Sequence, residues 1–332
     1  MYQPEIYASA LFFMLVSMIC WGSWANTMKL CPGYRFQLFY WDYVVGLILG
    51  ALVWGFTLGS GGTTGAAFLA DLQHAHGYSL GMAMLGGMIF NLANLLLVAA
   101  IDIAGLAVAF PIGIGLALVV GAVSNYVISP AGNPLMLFGG IAAVVAAIVM
   151  DAMAYKLREK GRRGAGTKGI VLSLVSGVLM GSFYPFVSKA MLPRPGPGPY
   201  AIALFFVLGV ALCAIPANYL LMRKPIDAQV PVDFSGYTSA PTRWHLWGVI
   251  GGMIWCTGAV FNFVASKTHF VGPAVAYSIG QGATMVSAAW GVFVWHEFSG
   301  ASSRIKILLT FMFLFFLLGL GAIAAAPLFV GH

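Results

Sequence analysis

The sequence predicts an all-α integral membrane protein of ten transmembrane helices in two five-helix inverted repeats. Three observations carry that expectation. Of 332 residues, 61% are hydrophobic and only 8% charged, against roughly 25% charged in an ordinary soluble domain. Apolar runs long enough to cross a bilayer follow one another along almost the whole chain. Two stretches half a chain apart repeat each other closely.

So few charges cannot cover a soluble surface, and so much apolar content excludes intrinsic disorder. The 42 glycines follow no triplet period, which excludes a collagen-like chain. The net charge of +7 lies in short loops between apolar runs, where a bilayer rather than nucleic acid accounts for it. Cys20, Cys31, Cys213 and Cys256 form no CxxC pair and read as small buried hydrophobes. No metal or cofactor motif stands out. His74 and His76 lack a third ligand. Gly161 to Lys168 resembles a phosphate loop faintly, but its order is Thr-Lys and no strand precedes it. Enzyme signatures such as HExxH and GxSxG are absent from the sequence.

A span needs about 20 apolar residues. Ten segments qualify: 6–28, 37–58, 80–101, 104–127, 135–155, 169–190, 199–222, 245–266, 272–296 and 305–328. Turn chemistry separates them at Cys31-Pro-Gly33, Ser60-Gly-Gly62, Ser129-Pro-Ala-Gly132, Pro193 to Pro199 and Ser299-Gly300. Residues 63–79 leave room for a short interfacial helix from Ala66 to Leu72. The first stretch lacks a basic leader and runs past 20 residues, so it is expected as a retained helix. The domains expected are a first repeat over 1–155, a basic cytoplasmic linker over 156–168 and a second repeat over 169–332.

Placing the N-terminus outside puts 13 of the 16 Lys and Arg on the inner side. Both termini are therefore expected to be non-cytoplasmic, in a plasma membrane of the bacterial inner-membrane type. Gly86-Gly-Met-Ile89 recurs as Gly251-Gly-Met-Ile254. Gly105-Leu-Ala-Val-Ala-Phe-Pro-Ile-Gly-Ile-Gly115 matches Gly272-Pro-Ala-Val-Ala-Tyr-Ser-Ile-Gly-Gln-Gly282 at seven of eleven positions. Gly22-Ser23-Trp24 is echoed by Gly181-Ser182-Phe183. Five spans per half is odd, so the second copy would be inserted upside down, the arrangement secondary transporters use for alternating access.

Polar groups inside the hydrocarbon point to a site. The candidate substrate-binding residues are Trp24, Asn26, Asn91, Asn94, Ser182, Tyr277 and Gln281, with Asn125, Asn218 and Asn262 nearer span ends. Amides, hydroxyls and indoles suit a small neutral polar ligand such as a sugar or a planar nitrogenous compound. Interhelical hydrogen bonding is the competing explanation for each of them. Gly22, Gly113, Gly115, Gly280 and Gly282 are candidates for hinges or close packing. Asp42, in Tyr40-Trp-Asp-Tyr43, is the first candidate for carrying a coupling proton and Glu297 the second, with pairing to Arg35 or Arg304 as the alternative.

On these residues the chain resembles the drug/metabolite transporter (DMT) superfamily, of EamA-like fold, and within it the ureide permease and glucose/ribose porter group. The residues carrying the likeness are Met1-Tyr2, Gly22-Ser-Trp24, Tyr40-Trp-Asp-Tyr43 against the ureide permeases' Tyr-Leu-Asp-Tyr, Gly86-Gly87 with Asn94, and Gly121 with Asn125-Tyr126. In the second half they are Asn262, Gln281, Ser287, Trp290-Gly291 and Glu297. The chain departs from the plant members in its short central linker, and Ala25 stands where those relatives have Pro. The resemblance implies symport or facilitated movement of allantoin and nucleobases, or sugar transport of ribose or glucose. The expected partners are a small-molecule substrate, H+, membrane lipid and a possible second copy as a homodimer, with no nucleic acid and no cofactor. An exporter on the same scaffold and a non-transporting receptor remain the alternatives.

Overall fold

The computed structural model describes residues 1–63, 65–158, 166–193, 196–226 and 230–329. Most of the basic linker, with Lys160, Arg162 and Arg163, lies outside the described residues, as does Arg194. In chain order the helices are α1 (Tyr7–Ser23), α2 (Asn26–Lys29), α3 (Phe36–Phe56), α4 (Phe68–His74), α5 (Gly77–Ala104), α6 (Leu106–Ile128) and α7 (Pro134–Arg158). The second half holds α8 (Thr167–Met191), α9 (Pro199–Arg223), α10 (Phe234–Thr238), α11 (Thr242–Ser266), α12 (Pro273–Gly280), α13 (Ala283–Ala289), a π-turn (Trp290–Val294) and α14 (Ser303–Ala325). Among the described residues nine segments are long and apolar enough to cross a membrane, with α1 and α2 counted as one. Helices satisfy every backbone group internally, which the hydrocarbon demands.

The expected ninth span, 272–296, is the one that is not continuous. α12 stops at Gly280, and the ladder tightens: Gly282 N–H donates to Ile279, Thr284 to Gln281 and Met285 to Gly282. Two close approaches put glycine on either side of Gln281. A methyl group at Gly280 would sit 2.5 Å from the Trp21 ring, and one at Gly282 2.6 Å from the Met18 sulfur. Beyond α13 the π-turn closes with Trp295 N–H donating to the Trp290 carbonyl. His296 then takes φ +52°, alone among non-glycine residues described, and ends the segment. A similar step divides α1 from α2, where Thr27 and Met28 N–H donate to Trp24 and Ala25. The short helix expected between Ala66 and Leu72 is present as α4.

The duplicated segments share local geometry. Gly105 opens α6 at φ 82°, ψ 156°, and Gly272 opens α12 at φ 75°, ψ 161°. Both values lie in the region open to glycine. The packing obeys the same exchange. α5 packs on α8 as α11 packs on α1, and α6 on α8 as α13 and α12 on α1. α5 packs on α9 as α11 packs on α3, while α7 and α14 pack on each other.

Glycine contacts make this correspondence atomic. A methyl group at Gly87 would collide with the Phe206 carbonyl, and one at Gly252 with that of Tyr43. Gly209 stands in the same way against Met84, and Gly46 against Val249. Gly22 lies against Ala283 and Val286 as Gly181 lies against Ala117 and Val120. Gly140 and Gly319 lie against each other's carbonyls. Each contact is carried to its partner by exchanging the halves, so small residues bring backbones together at equivalent crossings.

Candidate functional site

A cavity of about 390 Å3 lies where the two halves meet. Its walls correspond in pairs across the halves: Trp21 with Met180, Trp24 with Phe183, Phe90 with Trp255 and Ile114 with Gln281. The aromatic faces are fixed by one another. Phe90 and Trp255 lie 4.4 Å apart by centroid, Trp21 stacks on Trp255 at 5.7 Å, and Trp24 rests on Tyr43 at 4.8 Å. Trp21 Nε1–H donates to the Trp255 carbonyl at 3.2 Å.

Polar groups reach this cavity at Asn94, Asp102, Gln281, Thr284 and Ser287. Gln281, at the break between α12 and α13, is 8% exposed, and its side-chain amide makes no hydrogen bond to the protein among the described residues. Asn94 is 7% exposed; its Nδ2 lies 3.5 Å from the Tyr40 hydroxyl, and its side-chain oxygen accepts nothing among the described residues. A buried amide with unused donors and acceptors is costly unless a ligand or water completes it.

The cavity opens beside exposed Ala25 and Asp102, between α2 and the end of α5. The opposite end is sealed by buried hydrogen bonds. The Tyr277 hydroxyl donates to the Ala117 carbonyl at 3.0 Å, and that of Tyr184 to Asn262 Oδ1 at 2.5 Å. Asn262 Nδ2 donates to the Ala276 carbonyl at 2.9 Å, and Ser188 to Asn125 Oδ1 at 2.5 Å. A second, shallower cavity of about 760 Å3 lies beyond that seal, around Asp71, His74, His269 and Lys267. Asp71 accepts the Gly198 N–H at 2.8 Å. Burial raises its carboxyl above the usual range, against the pull of that bond and of Lys267.

Of the seven substrate-binding candidates, Trp24, Asn94 and Gln281 line the cavity. The other four do not line it and bond within the protein. Asn26 donates to the Ser23 carbonyl and accepts Trp295 Nε1–H at 2.6 Å. Asn91 Oδ1 accepts the Tyr40 hydroxyl at 2.8 Å. Ser182 donates back to the Val178 carbonyl, and Tyr277 belongs to the seal. Sequence reasoning missed Phe90, Phe183 and Trp255 as walls and Asp102 as rim. Phe90 and Trp255 directly follow the repeated Gly-Gly-Met-Ile tetrads, so the duplication itself marks them. Among the glycines, Gly22, Gly280 and Gly282 are required by close packing, Gly113 lies 2.7 Å by its built methyl from Leu97, and Gly115 has open space around it.

Asp42 stands apart from the cavity in a buried cage. The Tyr34 and Tyr237 hydroxyls donate to it at 3.0 and 2.6 Å, and His245 Nδ1 lies 2.9 Å away. Its partner is thus His245 rather than Arg35, whose guanidinium donates to the Val230 carbonyl. Burial first, and then the charge of Asp42 and its hydrogen bond, raise both phenols above their ordinary range, so they remain donors. Glu297 accepts Lys29 Nζ and the Tyr155 hydroxyl, each at 2.6 Å. Burial alone would raise its carboxyl, but these two bonds outweigh burial and hold it below its usual value. Lys29 also lies 4.9 Å from the Trp295 ring. Among the described residues no group of three metal-ligating side chains occurs.

The ureide permease family model matches residues 39–164, from α3 into the linker. Ureide permease 1 of Arabidopsis thaliana is 22% identical over the full length of both chains. Ureide permease 4 of the same plant is also 22% identical over both full lengths. Ureide permease 3 is 29% identical over 47% of this chain and 46% of its own. The chain is similar to ureide permeases. A solved chain described as "Crystal structure of protein" superposes with a TM-score of 0.60 at 14% identity, covering 95% of this chain and 98% of that one, which shows a shared fold. The long apolar helices and the similarity to permeases together support a multi-pass membrane protein of transporter type.

Proposed function

We propose that this chain moves a small, neutral, planar metabolite of the ureide or nucleobase kind across a membrane, by proton-coupled alternating access of two oppositely inserted five-helix halves. The observation that carries the reading is the unpaired Gln281 amide, facing aromatic walls in a cavity shared by both halves. A ureide ring offers flat faces for Trp21, Trp24 and Trp255 and an amide edge for Gln281 and Asn94. The named function of the similar Arabidopsis permeases supports the same class. A monosaccharide fits less well, because its hydroxyls point all round the ring while polar groups line only part of this wall. The broken segment around Gln281 supports the transport reading, since discontinuous helices build substrate sites in secondary transporters.

Under the Lys and Arg bias the cavity opens to the cytoplasm, and both termini lie on the other side of a bacterial inner membrane. Asp42 and Glu297 are the proposed proton carriers, Asp42 through its contact with His245. An exporter is the second reading, favoured by the aromatic walls together with Met28 and Met180. Uptake of labelled allantoin, uracil, ribose and glucose into proteoliposomes tests all of this. Accumulation of allantoin or uracil that rises with an inward proton gradient is expected. Uptake of the sugars alone would overturn the substrate class, and no movement of any would overturn the transport reading.

A further inference from the structure

The last turns of α7 bury a carboxyl group. Asp151 is 8% exposed, and its Oδ1 is enclosed with no hydrogen-bond partner among the described residues. One turn further on, on the same side of the helix, the Tyr155 hydroxyl donates to Glu297 Oε2 at 2.6 Å. A phenol has one proton to give, so that bond leaves none for Asp151. The other Glu297 oxygen is held by Lys29 Nζ at 2.6 Å. Glu297 is thus kept as a carboxylate by two donors, and its charge is the one that acts on Asp151. Gly291 admits this close packing, since a methyl group there would lie 2.7 Å from Glu297 Oε2 and 2.9 Å from the Tyr155 oxygen. That glycine sits in the π-turn, a helix irregularity frequent at functional sites. Other charged groups near this end of α7 are turned to solvent. Lys156 and Arg158 on its last turn and His296 beside Glu297 are exposed. α14, packed along α7, offers Arg304 and Lys306 in an exposed first turn, and α6, which also packs on α7, has only Tyr126 at its far end. An enclosed carboxylate oxygen without a donor, beside a second carboxylate, is strongly disfavoured, whereas the protonated acid is not.

We infer that Asp151 and Glu297 form a carboxyl–carboxylate pair that holds one proton, carried on Asp151 in the state described, and that this pair is a proton site linked to the cavity mouth. The link runs through α1 and α2. Besides the Lys29 bond to Glu297, Trp295 Nε1–H donates to Asn26 Oδ1 at 2.6 Å and Trp290 Nε1–H to the Ser23 hydroxyl at 2.9 Å. These three bonds tie the segment after α13 to the stretch that carries Trp24, Ala25 and Met28 in the cavity wall. Loss of the proton sets two like charges together and drives that segment from α7, taking α2 with it; return of the proton restores the contact. The proton leaves to water beside Glu297, whose side chain is 31% exposed. The inference rests on the proton-coupled reading above, for which it supplies the partner of Glu297.

The test is infrared difference spectroscopy of the purified protein between acid and alkaline buffer, read at the C=O stretch of a protonated carboxyl group. Asp151→Asn, which imitates the protonated acid, is expected to lose one such band. Asp151→Glu, which keeps a titrating carboxyl, moves that band instead of removing it and guards against a folding defect. Glu297→Gln removes the neighbouring charge and weakens proton binding at Asp151 about tenfold, so the band titrates at lower pH. A spectrum unchanged by Asp151→Asn, or a band whose titration ignores Glu297→Gln, would overturn the pair. The link to the mouth is read from the rate at which Ala25→Cys, in a background without the native cysteines, reacts with an impermeant thiol reagent. Relative to a free thiol, that rate is expected to change across the pH interval of the band and to stay constant in Asp151→Asn. A rate that follows pH equally in both would overturn the link. Neither measurement needs substrate, so proteoliposomes that move no ureide would overturn the transport reading and leave the proton site standing.

Discussion

Replacing Gln281 by Leu separates ligand recognition from folding at one position. The side chain is 8% exposed and its amide bonds to nothing among the described residues, so the change removes no hydrogen bond to them. Leu is of similar size, and it removes a buried amide that lacks a protein partner. Folding stability is therefore expected to hold or rise. A bound ureide loses the donor and acceptor that Gln281 offers, and burying its amide edge unpaired costs about 2 kcal/mol, on the order of 30-fold in Kd. The assay is equilibrium binding of labelled allantoin and uracil to purified protein, with thermal unfolding alongside. Asn91→Leu is the control with the reverse pattern. Asn91 holds the buried Tyr40 hydroxyl, so its loss is expected to cost about 1–3 kcal/mol of stability. Binding within twofold of the parent in Gln281→Leu, together with a lowered unfolding temperature, would refute the assignment of that amide to substrate.

Gly252→Ala drives a methyl group into the Tyr43 backbone carbonyl and should lower stability by about 2 kcal/mol or more, whereas Gly139→Ala, with nothing within 4 Å, should cost nothing; thermal unfolding compares the two. Asp42→Asn is expected to abolish proton-driven accumulation while leaving substrate exchange, and unchanged accumulation in proteoliposomes would make Asp42 a tether only. The lowered carboxyl of Glu297 stabilises the fold above its unfolded value of 4.5, and that contribution disappears as pH falls through its folded value. The parent should thus lose thermal stability faster than Glu297→Gln as the pH is taken below 4.5, and parallel curves would remove the carboxylate from the account.

Much of the architecture was legible because lipid imposes simple rules. Nine apolar runs became the expected long segments, and Gly105 and Gly272 marked the repeat by their shared φ. The tenth run hid its break because α12 and α13 are apolar on both sides of Gln281, and hydropathy does not register backbone direction. The lining of the cavity was legible in part. Two of the mid-membrane amides, Asn94 and Gln281, line it, but sequence position does not tell which face of a helix meets a cavity. Asn91 and Asn94 share a helix side, yet Tyr40 takes the first and the cavity edge the second. Asp42 is buried, as its place in an apolar run suggested, while its partners His245 and Tyr237 lie on α11 and α10, 203 and 195 residues away, where no local pattern connects them to it.

On the proposed alternating-access reading, the correspondence between the halves also indicates where motion would occur. α3 with α11, and α5 with α9, meet backbone to backbone at glycines, so under that proposal each pair is expected to move as a unit. The pairs that differ between the halves are α1 with α12–α13, both interrupted, and α6 with α8, both continuous despite Pro111 and Pro185. Under that proposal, exchanging states would bend α6 where α12 breaks, at Gly113 to Gly115, the equivalents of Gly280 and Gly282. Gly113 is spoken for by Leu97 in this state, but Gly115 has nothing within 4 Å of a methyl group, so packing gives no reason for glycine there. Within a helix that glycine costs about 0.5–1 kcal/mol relative to alanine. Gly115→Ala should therefore stabilise the state described here by that amount while slowing net transport, with equilibrium binding unchanged. A variant that gains stability and transports at the parental rate would show that α6 stays straight through the cycle.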